Sequence, residues 1–171
     1  ADEIRSLDEE LALVERDFLT TSTDRPGEYQ FRHVLTSDAI YKTLLRRDRE
    51  LLHGQVAQAI ETTFADRLEG QVELLADHYM KSQFQVQALR FLIMAGKKAA
   101  RDFANEQARQ HYEIALGLLP RVPYHPLQLL YIQMGLGDVL ALVGEYQAAR
   151  THYRSALEAI LVQEPGEFVQ E

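Results

Sequence analysis

Two stretches, Ala108-Arg109-Gln110-His111-Tyr112-Glu113-Ile114-Ala115-Leu116 and Ala149-Arg150-Thr151-His152-Tyr153-Arg154-Ser155-Ala156-Leu157, stand 41 residues apart and agree at six of nine positions. In each, Ala, Tyr and Ala fall at i, i+4 and i+7, which is one face of a helix. Small residues at the outer two positions let a neighbouring helix come close, and the tyrosine ring fills the gap between them. The pattern therefore predicts helices packed on helices, with one unit copied along the chain.

Around the later stretch stand Leu136 and Gly137, then Gly144 and Tyr146, ahead of Ala149, Tyr153 and Ala156. Around the earlier one stand Gly96, Ala108, Tyr112, Ala115 and Pro120. These positions resemble the tetratricopeptide repeat, a helical hairpin of about 34 residues with a small-aromatic-small second helix. Gln133 replaces the usual tryptophan, Leu161 the closing proline, and Ala95 and Phe103 stand where Leu and Gly are usual. An insert, RVPYHPL at 121–127, accounts for the longer period, because a surface loop absorbs extra length at little cost. Leu75, Tyr79, Ala88, Leu92 and Ala95 make a weaker third match over 72–100. The resemblance implies an all-α superhelix of antiparallel helical hairpins over 71–171, with a groove lined by the first helix of each pair. By the family's inner-face positions, Arg90, Lys97, Arg101, Tyr131, Met134 and Asp138 are the groove candidates.

Helix breaks are expected near 82–85, 103–105, 120–126, 144–145 and 165–166, giving five helical segments of roughly 11 to 18 residues from Val72 onward. Upstream, Leu7, Leu11, Val14 and Phe18 recur at helical spacing over 4–18. FLTTS at 18–22 and YQFRH at 29–33 then read as a short hairpin about the turn residues DRPG. Thr36, Ser37 and Asp38 suit a helix start, ahead of one apolar stripe through Ile40, Tyr41, Leu44 and Leu45 and another through Leu52, Val56, Ile60 and Phe64.

The stretch FRHVLTSDAIYKTLLRRDRELLH, 31–53, resembles the junction of STAND-type signalling ATPases, where a winged helix leads into helical repeats. The matching positions are Phe31, His33, Leu35, Asp38, Tyr41, Leu44, Leu45, Arg49, Leu52 and His53. This resemblance implies a winged-helix remnant over 1–36 (a helix and its wing), linking helices over 37–70 and repeats over 71–171. It further implies a regulatory segment of a longer multidomain protein, in which any ATPase or cyclase activity lies outside this chain. His33 and His53 are expected to be buried, hydrogen-bonded packing residues.

The 171 residues carry a formal net charge of −8, so a duplex-binding role would rest on the local cluster of Arg32, Lys42, Arg46, Arg47 and Arg49 against an acidic body. The visible helix at 4–18 is acidic, which disfavours nucleic acid as a partner. No cysteine is present, which removes thiolate chemistry and suits a reducing, cytoplasmic setting. The apolar runs fall short of the ~20 residues a spanning helix needs, so no membrane contact is expected.

Ser37, Asp38 and His33 lack the strained elbow that presents a nucleophile, and no Gly-rich phosphate loop is present. Glu50 and His53 make a single E-x-x-H, where a di-metal bundle takes two. Glu73 and Asp77, with His78 adjacent, read more simply as the wet side of a helix. His111 and His152 are expected to point partly outward. The sequence thus predicts a non-catalytic segment without cofactor or metal, which binds a protein partner or neighbouring domains of its own polypeptide. A DNA-binding regulator fragment is the alternative, and a helical metalloenzyme a more distant one. The last helix, with Ile160, Leu161 and Val162, is expected to lack a neighbour on its outer side, an edge open to homodimerisation.

Overall fold

The structure is a computed structural model that describes residues 18–21 and 29–161. Of the helix expected over 4–18 only Phe18 falls within them, and Val162, Pro165 and Gly166 lie outside them. The chain divides into two compact units, Ala1–Arg49 and Glu50–Glu171, a boundary that falls inside the stretch read as linking helices.

In the first unit, β1 (Leu19–Thr21) and β2 (Tyr29–Phe31) pair antiparallel, with Leu19 opposite Phe31 and Thr21 opposite Tyr29. Arg32 fastens the hairpin: its backbone N–H donates to the Phe18 carbonyl at 2.9 Å and its Nε to the Leu19 carbonyl at 3.2 Å. Helix α1 (Val34–Thr43) begins earlier than the capping residues predicted. His33, in extended backbone, is the N-cap, and its carbonyl accepts the N–H groups of Thr36 and Ser37 at 3.0 and 3.4 Å. Closing the first turn this way places Ser37 and Asp38 inside the helix. His33 is exposed, contrary to its expected burial, because a cap on its carbonyl leaves the ring outside. No residue of α1 is buried, so its apolar stripe builds no core there.

Helix α2 (Arg46–Thr63) leads through a 3₁₀ segment (Ala65–Gln71) to five helices: α3 (Val72–Met80), α4 (Gln85–Arg101), α5 (Asn105–Leu118), α6 (Pro126–Leu142) and α7 (Tyr146–Leu161). On α2 the buried residues are Gly54 and Ala57, while Leu52 and Val56 of the predicted stripe are exposed. Gly54 leaves room for the Phe84 ring, which lies 2.7 Å from where a Cβ would stand, so closeness and not bulk defines this face. Helix α3 is shorter than predicted. Ser82 ends it: its Oγ donates to the Tyr79 carbonyl at 2.8 Å and accepts the Phe84 N–H at 3.0 Å.

The helices fall at the predicted breaks, and the copy seen in sequence extends to the backbone. α4 and α6 both span 17 residues, and α5 and α7 start 41 residues apart, the spacing that also separates α4 from α6. The turns inside the two pairs match bond for bond. Ala104 N–H donates to the Ala99 carbonyl at 2.8 Å, as Glu145 does to Leu140 at 2.8 Å; Phe103 donates to Ala100 at 3.2 Å, as Gly144 does to Ala141 at 3.1 Å. This is the Schellman closure of a helix end, with Phe103 (φ 58°) and Gly144 (φ 85°) at the left-handed position.

The core runs along the seams between consecutive helices. Ala108, Tyr112, Ala115, Ala149 and Ala156 are buried, and Tyr153 is half-buried. The Tyr112 ring sits where a Cβ on Gly96 of α4 would be, at 2.7 Å, and equally where one on Gly135 of α6 would be; Tyr153 occupies the same place over Gly137. Glycine in a helix interior costs about 1 kcal/mol against alanine. Here that cost is offset by burial of a whole aromatic ring between two backbones.

Candidate functional site

The first helices of the two copied pairs, α4 and α6, lie side by side. Val86, Arg90, Lys97 and Arg101 are exposed along α4, and Leu127, Tyr131, Met134, Asp138 and Leu142 along α6. Each set recurs at intervals of three, four or seven, so each is one stripe of its helix. Buried Ala88, Leu92, Ala95 and Ala99 on α4, and Ile132, Leu136 and Leu140 on α6, hold the opposite sides in the core.

All six predicted groove residues are on this face, with different surroundings. Lys97 and Tyr131 are brought together across the helix pair, the ammonium 3.7 Å from the ring centroid, where the ring's negative face holds it. Among the described residues Lys97 has no carboxylate within ion-pair distance. Arg90 meets Glu61 at 3.0 Å, and the other oxygen of that carboxylate accepts the Tyr79 hydroxyl at 2.5 Å. Arg101 meets Glu69 at 2.5 Å in a pair exposed on both sides, where solvent screening leaves it little weight in stability. Asp138 accepts the Tyr153 hydroxyl at 2.8 Å, and Met134 is exposed. The guanidinium groups at the two ends of the α4 stripe are thus matched by acids from α2 and the 3₁₀ segment. The middle of the face offers an ammonium, an aromatic ring and a thioether. Periodicity alone could not find Glu61 and Glu69, because both lie in earlier elements.

The histidines sit at seams between helices. His53 meets His78 across α2 and α3, Nδ1 to Nδ1 at 2.9 Å, so one ring donates and the other accepts. Burial holds His78 below the usual imidazole range; Asp77 opposes this and Lys81 adds to it. Glu73 is taken up by Lys98 at 2.7 Å and Asp77 by Lys81 at 2.7 Å, both plain ion pairs. Burial pushes the Glu73 carboxyl up, but the Lys98 hydrogen bond and charge outweigh it and leave the group below its usual value. Among the described residues no three His, Asp or Glu side chains form a group that could hold a metal.

His111 and His152 are half-buried, and burial lowers both. His152 Nδ1 meets Gln133 Oε1 at 2.7 Å, whereas His111 Nδ1 is buried without a hydrogen-bond partner among the described residues. The copy explains the difference: the residue that stands to His111 as Gln133 stands to His152 is Leu92, which offers no polar atom. Of the junction residues, Tyr41 and Arg49 are brought together, the guanidinium 5.2 Å from the ring centroid.

No helix among the described residues is long and apolar enough to cross a membrane. No family model matches the chain. It is similar to an uncharacterized protein of Rhizobium meliloti (strain 1021), 32% identical over 154 residues. The match takes in 85% of this chain and 15% of the relative, so the chain spans a small part of the length of the protein it matches.

Proposed function

We propose that this chain is a non-catalytic protein-interaction and regulatory segment of a longer signalling protein, a tetratricopeptide-like array following a STAND-type junction. The observation that carries the reading is the side-by-side placement of the copied first helices α4 and α6, joined by the Lys97–Tyr131 contact. Two equivalent helices in register make a continuous face wide enough for an extended or helical segment of a partner. Its chemistry suits a ligand with an anionic group for Lys97 and apolar side chains for Tyr131, Met134 and Leu127. Membership of a far longer chain is supported by the small share of the relative that the match covers. The occupant is then a neighbouring domain or a separate protein.

A photoreactive benzophenone amino acid at Tyr131 of the full-length protein tests this, with the same group at exposed Gln110 on α5 as the comparison. The expected result is one discrete adduct from the Tyr131 position, weakened by Lys97→Glu and absent from the Gln110 position. Identical adduct patterns from both positions overturn the reading.

A further inference from the structure

The outer side of α7 has a counterpart within the same molecule, and the counterpart is covered. Tyr112 on α5 is held between two glycines, Gly96 of the preceding helix and Gly135 of the following one, and is 3% exposed. Tyr153 has the first of these neighbours in Gly137, but among the described residues no second glycine meets its ring, and the residue is half-buried. The difference continues along the helix. Leu119 is 5% exposed and its equivalent Ile160 46%; Leu116 packs against the core and its equivalent Leu157 is 61% exposed. Leu161 is exposed as well. Apolar side chains at equivalent positions are thus buried on one copy and bare on the other, and among the described residues the element that follows the first copy and packs on it is α6.

We infer that the outer face of α7 seats a further α-helix of the same longer polypeptide. It lies on α7 as α6 lies on α5, with a glycine at the open side of Tyr153 and apolar side chains over Leu157 and Ile160. The copy gives the shape of the occupant. Any side chain at the contact, even a methyl, would meet the tyrosine ring, as a Cβ on Gly135 would meet Tyr112. A second copy of the chain is a poorer match, because the small residues of α7 itself, Ala149 and Ala156, are buried inward and cannot receive a partner's Tyr153. The source is the remainder of a protein in which a segment like this is a minor part, as the matched relative shows. The inference rests on the internal copy and on the length of the matched relative, and does not depend on what binds the α4–α6 face.

Inserting a second copy of residues 121–161 between Leu161 and Val162 of the full chain places an α6-like helix in register over α7. Hydrogen exchange then reads the result. The backbone amides of α7 should slow by about tenfold or more once the face is covered, as local opening becomes rarer. Leu157→Glu should cancel that slowing, yet leave the thermal midpoint of the unextended chain unchanged, since the side chain is already exposed there. Unchanged exchange in the extended chain overturns the inference. So does light scattering that finds the unextended chain dimeric and Leu157→Glu monomeric, because a second copy then fills the seat.

Discussion

Phe103 is the residue at which the two copied turns differ most. It holds the left-handed position that Gly144 fills in the other turn, and its side chain is 82% exposed. A side chain at that backbone conformation costs about 1–2 kcal/mol, and exposure means that little packing offsets it. Phe103→Gly should therefore raise stability by about 1 kcal/mol in urea denaturation, with an unchanged m-value. The glycines under the tyrosines behave in the opposite sense. Gly96→Ala should lower stability by about 1–3 kcal/mol despite alanine's better helix propensity, because its methyl would enter the Tyr112 ring. The sequence made these residues legible through repetition, since an Ala-Tyr-Ala face calls for a small residue opposite. It could not show that Gly135, which no motif marks, completes the clasp from the far side.

Among the elements, α3, α5 and α7 each carry a His-Tyr pair, at 78–79, 111–112 and 152–153, with the histidine at the seam to another helix. Burial lowers all three histidines below the ~6.5 of an open imidazole. The unfolded chain then takes up these protons first as pH falls. The contribution is complete above about pH 6.5 and is lost as pH drops through the lowered folded values. Urea midpoints should be level between pH 8 and about 7 and fall by pH 5.5. His111→Leu should shrink that fall, since it removes a buried nitrogen that has no hydrogen-bond partner among the described residues. Helix boundaries were readable because turn residues mark them. The start of α1 was not, because its cap is the carbonyl of His33 and no side chain announces it. The apolar stripe of α2 misled for a related reason: Gly54 and Ala57 create the close approach, and a hydrophobicity pattern gives them little weight.

For the molecule as a whole, the division at Arg49 and Glu50 separates a hairpin-and-helix unit from a helical unit, and among the described residues the buried hydrophobic cluster begins at Ala57. A chain starting at Arg46, which keeps α2 entire, should unfold in one cooperative step at the thermal midpoint of the full chain, as followed by circular dichroism. A broad or lowered transition would mean that residues 1–45 help hold the helical core. The partner-facing chemistry was the least legible level. Spacing placed Arg90, Lys97 and Arg101 on one stripe, but only the fold shows that the two arginines are answered by Glu61 and Glu69 and that Lys97 rests on Tyr131.

The bond-for-bond match of the turns after α4 and α6 also bears on how such a chain can change length. If residues 105–145 are deleted, Ala104 joins Tyr146 and α7 follows α4 through a turn of the same geometry. Tyr153 then meets Gly96 in place of Gly137, the contact Tyr112 makes now. Unequal recombination between the two copies can therefore remove or add a helix pair in a single event and keep both the turn and the tyrosine–glycine contact.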